Sequence, residues 1–116
     1  MLISFWMAYK IILTQTFQAD FKRLRKKYPS LPADLLGLLD EFQKNPKTGT
    51  SIGMNCYKIR MAIGSKNKGK SGGARIISHF VVHILPGTLY LITMYDKGEK
   101  DTITAARLKE LLKDID

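Results

Sequence analysis

The chain has 116 residues, 45% of them hydrophobic, and its 19 lysines and arginines against 10 aspartates and glutamates leave a formal charge of +9. That length supports one domain with a real core and excludes both a disordered chain and two independent domains. The excess of positive charge asks for an anionic partner: nucleic acid first, an acidic protein or an anionic membrane surface after it.

A single cysteine, Cys56, excludes an internal disulfide and fits a reducing cytoplasm. The opening apolar run LISFWM is too short for a signal peptide or for a membrane span of about 20 residues. Residues 1–7 are therefore expected either to precede a natural start at Met7 or to lengthen the first strand. Residues 1–116 otherwise form one domain.

Ala8–Thr14 is isoleucine-rich and mildly alternating, which predicts a strand. Phe17, Phe21, Leu24 and Tyr28 then recur at helical spacing, with Lys22, Arg23, Lys26 and Lys27 off the stripe, and Pro29 ends that helix. Ser30-Leu31-Pro32 with Asp34 starts a second helix, striped by Leu35, Leu38, Leu39 and Phe42 and stopped by Asn45-Pro46. The short connection makes the two an antiparallel pair. From Met54 the period becomes two, predicting strands over Asn55–Ser65, Ala74–Leu85 and Thr88–Asp96, the last two joined by a tight Pro86-Gly87 turn. Thr104 is placed to cap a closing helix with Leu108, Leu111, Leu112 and Ile115 on its buried side. The order β-α-α-β-β-β-α predicts an α+β sandwich, helices covering one face of a mainly antiparallel sheet.

Alternation along Tyr57–Ile63 sends the apolar residues one way and Lys58 and Arg60 the other. If Arg75 joins them, Ile77, His79, Val81 and His83 share that face, and on the last strand Tyr95 with Lys97 makes the more cationic choice. No acidic residue lies between Glu41 and Asp96 to neutralise the row. Fixed, uncompensated cations repel one another, so phosphate binding is favoured over a merely solvated face. Lys66, Lys68 and Lys70 stand among glycines in a mobile basic loop suited to backbone phosphates. Gly64–Ser71 matches the P-loop pattern letter for letter, but a β-branched run follows where the phosphate cradle needs a helix, so no nucleotide cofactor is expected. His79 is either a packing residue or a proton-transfer group. No metal is expected, since Cys56 and the sparse carboxylates complete no ligand set.

The segments YKII-T-F, KKYPSLP-DL, YKIR, KGKSGGARII and LITMYDKGEKDTI together resemble the RelE/ParE superfamily of bacterial toxins, in its RelE/HigB-like branch. The resemblance runs from about Ala8 to the end and implies the same small β-α-α-β-β-β-α sandwich. It further implies a cytoplasmic mRNA interferase of a type II toxin–antitoxin system. Such an enzyme cuts mRNA in the ribosomal A site against 16S rRNA, inhibits translation and is held by a cognate antitoxin protein. Lys58 and Arg60 match basic residues of the family's YKIK-like strand, Arg75 the arginine opening the next strand, and Lys97 the basic residue after the last. The family's helix tyrosine has no counterpart at Thr102-Ile103, and Tyr95 is the substitute. The reaction so implied is metal-free: a ribose 2′-OH attacks the scissile phosphate, with Lys58 as base or stabiliser, Arg60 and Arg75 clamping phosphate, and Lys97 or Arg75 assisting the leaving group. Lys66, Lys68, Lys70 and His79 are the expected RNA contacts. The rivals are a ParE-like inhibitor of DNA gyrase and a non-enzymatic RNA-binding module.

Overall fold

The computed structural model describes residues 10–67, 69–82, 87–100 and 102–115. Five strands, β1 (Lys10–Leu13), β2 (Thr50–Gly53), β3 (Cys56–Met61), β4 (Ala74–Val81) and β5 (Thr88–Asp96), form one sheet in the order β1-β5-β4-β3-β2. β1 runs parallel to β5 and every other pair is antiparallel. β4 lies at the centre, and its run of alanine, isoleucine and phenylalanine is buried almost throughout.

Thr14 caps α1 (Gln15–Lys27) by accepting from the Phe17 amide, and Arg25, Lys26 and Lys27 stand at its negative dipole end. α2 (Leu31–Lys44) carries Pro32 in its first turn, where a missing N–H costs nothing. The stripes of both helices, with Phe17, Leu24, Leu31, Leu35, Leu38 and Phe42, close on Ile59, Met61, Ile76, Leu89, Leu91 and Met94. This is the main core.

The other face is not left open. α3 (Ala105–Leu112), capped by Thr104 as expected, lays Leu108 and Leu111 on Cys56, Ile77, Ile92 and Tyr95. Helices therefore cover both faces, correcting the one-sided arrangement expected from the sequence. The reason is apolar surface: Ile77 and Ile92 share the cationic face, and the leucine stripe of α3 is what buries them.

A slip in register lets Ile77 face Thr93 and Ser78 face Leu91, which leaves Ile92 as the extra residue of a bulge. Asp20 of α1 accepts from the Thr93 hydroxyl at 2.6 Å and the Met94 amide at 3.1 Å, holding the strand beyond the bulge. Beyond the bulge Met94 joins the main core and Tyr95 the second one.

Two further differences have local causes. β2 is too short to show periodicity, and Met54 and Asn55, both at positive φ, turn it into β3 with the twist that a two-residue hairpin needs. β3 stops at Met61 rather than Ser65. There Gly73 comes so close that an added Cβ would lie 2.1 Å from the Met61 carbonyl oxygen, and a 3₁₀ turn follows over Gly64–Lys66. After Ser71 the chain enters β4, not a helix, so the P-loop pattern lacks its cradle. The expected Pro86 turn and the strand ends at Ala8 and at Leu85 lie outside the described residues.

Candidate nucleic-acid interface

Register places Arg60 opposite Arg75 and Arg75 opposite Tyr95, with Lys58 opposite Ile77 one step along. The parity expected from sequence therefore puts these residues on one face. Burial then divides them. Arg60 is exposed and Lys58 half-buried, but Arg75 is 3% exposed and Tyr95 2%.

The Arg75 guanidinium is turned into the basic loop. Nη1 donates to the carbonyls of Lys70 at 3.0 Å and Ala74 at 3.3 Å, and Nη2 donates to that of Ser71 at 3.1 Å. A planar fork suits such divergent carbonyls, and those of Lys70 and Ser71 lie in the turn before β4, outside the strand ladder. Arg75, expected to clamp phosphate, is thus a buried brace of the loop. Tyr95, the expected substitute for the family's tyrosine, packs in the second core with Lys100 4.9 Å from its ring centroid.

The loop itself is fastened at its root. The Gly64 amide donates to Asp34 at 3.0 Å and the Ser65 amide to the Ser30 hydroxyl at 2.8 Å, tying it to the first turn of α2. Lys66 is committed as well. Its ammonium lies 2.5 Å from Asp96, whose carboxylate also accepts from the Tyr28 hydroxyl at 2.6 Å and the Gly98 amide at 2.9 Å. Burial acts to raise the Asp96 pKa, but the bonds from Lys66, Tyr28 and Gly98 outweigh it and bring it down to about 2. The bond to Asp96, with burial behind it, pushes Tyr28 up. Lys66, expected to contact RNA, is held here by a carboxylate of its own chain. Lys68 lies outside the described residues, and Lys70 is exposed.

The cations that do face outward meet at the β2–β3 edge. Lys58, Arg60 and Lys70 line a cleft of about 570 Å³ together with Thr48, Thr50 and Glu41. Among the described residues none of these three cations forms an ion pair. Sequence inspection overlooked Glu41: it bounds the acid-free stretch in sequence, yet the turn after α2 brings it back to that stretch. The one available signal was the short connection from α2 through Asn45-Pro46 into β2. A second cleft of about 470 Å³ between β1, β5 and α3 is lined by Ile12, Tyr90, Ile92, Leu111, Asp114 and neighbours, with no cation among them.

His79 is a strand pair with Cys56, its Nδ1 3.3 Å from the thiol, and lies toward the far end of β4 from Arg75. Burial lowers its pKa against hydrogen bonds to the Met54 and Asn55 carbonyls, and burial raises that of Cys56 to about 11. His79, expected to contact RNA, is not among the residues that line the cleft. Lys97 is half-buried just past β5, its amide donating to the Gly73 carbonyl at 3.0 Å. His83 lies outside the described residues. Among those residues no group of three His, Cys, Asp or Glu could hold a metal, and no helix is long and apolar enough to cross a membrane.

No family model matches the sequence. Among solved structures, the chain is similar to a doubly substituted RelE toxin of E. coli in its free state. The TM-score is 0.59 at 17% identity, over 93% of this chain and 98% of that one. The chain therefore has a RelE-like fold.

Proposed function

We propose that the chain is a ribosome-dependent endoribonuclease toxin of a type II toxin–antitoxin system, acting in the cytoplasm and held by a cognate antitoxin. The observation that carries this is the cleft in which Lys58, Arg60 and Lys70 converge without ion-pair partners among the described residues. The RelE-like fold supports it.

In this reading Lys58 and Arg60 bear on the scissile phosphate, where preorganised cations stabilise the charge of the phosphorane better than that of the ground state. Lys70 holds a neighbouring phosphate. Arg75 acts one step back, by fixing the carbonyls of Lys70 and Ser71 and so the loop that presents Lys70. Lys58, Arg60 and Lys70, with no imidazole among the described residues of the cleft, make a modest catalyst by themselves. Ribosomal RNA would supply the missing orientation of the message, a term worth several orders of magnitude in rate.

The burial of Arg75 and Tyr95 favours one second reading, an RNA-binding module without chemistry. Ribosomes programmed with a defined message and a vacant A site separate the two. The toxin cuts the message there, leaving a 2′,3′-cyclic phosphate and a new 5′-OH end. Binding with an intact message would reject the nuclease.

A further inference from the structure

Resting on the nuclease reading, the geometry points to Glu41 as the general base that takes the 2′-OH proton. It is a carboxylate lining the same cleft as Lys58, Arg60 and Lys70. Leu38, one turn earlier on α2, is buried, and Glu41 stands exposed at the helix border beside it. Among the described residues Glu41 forms no ion pair, so its oxygens are available.

The backbone around it is held close. Gly49, at φ +110°, leaves room for the chain to pass β3 so tightly that a Cβ there would lie 2.7 Å from the Lys58 carbonyl oxygen. Thr50 is the strand partner of Lys58. The end of α2 and the middle of β3 are thereby coupled through a turn of few residues, and Glu41 lines one cleft with the cations. Cations neutralise phosphate but take no proton; a carboxylate among them supplies the missing function.

The step balances without a co-reactant. Glu41 accepts the 2′-OH proton as the O2′–P bond forms. The P–O5′ bond breaks, its electron pair leaves on O5′, and the Lys58 ammonium returns a proton there. The products are the cyclic phosphate and a free 5′-OH, and solvent restores both groups.

A carboxylate in a phosphate groove also repels its ligand, so base and bystander have opposite signatures in one variant. Glu41→Gln removes a negative charge and keeps the shape. With A-site-programmed ribosomes under single turnover, it should bind at least as tightly as the wild type yet cut about 100-fold more slowly. Glu41→Asp, which keeps the carboxylate, should recover part of the rate. Cleavage by Glu41→Gln at the wild-type rate or faster would show the carboxylate to be a bystander and overturn the proposal. Wild-type protein that leaves the message whole would instead remove the nuclease reading itself.

Discussion

The Lys66 ammonium lies 2.5 Å from one oxygen of Asp96, and the Tyr28 hydroxyl closes on the other at 2.6 Å. The three residues come from the basic loop, the end of β5 and the end of α1, so the network joins three elements that sequence leaves far apart. Asp96 titrates near 2 in the folded protein against an ordinary 3.8. A depressed carboxyl stabilises the fold above its unfolded pKa and loses that contribution as the pH falls through its folded one. The loss therefore belongs between about pH 4 and pH 2. Asp96→Asn should cost about 2 kcal/mol at pH 7 and flatten the acid limb of stability. Denaturant melts at pH 7 and pH 2.5 read both.

The lysines of the loop should separate by salt dependence. Lys70→Ala should lower the slope of log K against log salt for ribosomal RNA by about 1, the share of one phosphate contact. Lys66→Ala should leave the slope alone and lower the melting temperature. Equal slopes for wild type and Lys70→Ala would remove Lys70 from the interface.

Arg75 should behave as a brace. Its hydrogen bonds carry a full charge into a buried turn, and such bonds contribute about 1.5–3 kcal/mol each to stability. Arg75→Ala should therefore both lose cleavage and melt markedly lower. Arg75→Lys keeps the charge but cannot fork between the Lys70 and Ser71 carbonyls, and should be restored only in part. A variant with native stability and no cleavage would return Arg75 to the phosphate.

Lys58 and Arg60 have the opposite profile. Each stands in the open cleft without an ion pair among the described residues, so alanine there should move stability by no more than about 0.5 kcal/mol. Cleavage should fall while the circular dichroism spectrum stays unchanged. Substitution of both that leaves cleavage whole would separate the cleft from the chemistry.

Gly73→Ala tests the loop's geometry. Its Cβ would meet the Met61 carbonyl oxygen at 2.1 Å, against backbone that cannot yield. We expect it not to fold, or to melt far below wild type. Gly69→Ala, with open space around its Cβ but φ at +63°, should cost only the strain of that conformation, about 1 kcal/mol.

Period and punctuation by themselves determined the helix pair, the Thr104 cap, the long strands and the sidedness of Lys58 and Arg60, because those depend on residues within a turn or two of one another. Parity also aligned Arg75 and Tyr95 with them. Tertiary structure alone decided which charges face solvent. Lys66 with Asp96 and Glu41 with the cationic cleft are pairings between distant segments, set by packing rather than by spacing, and Arg75 meets the nearby loop carbonyls only through the shape of the folded turn. A row of like charges on one strand says where cations point; whether each meets a carboxylate, a carbonyl or water is settled only when the helices close over both faces of the sheet.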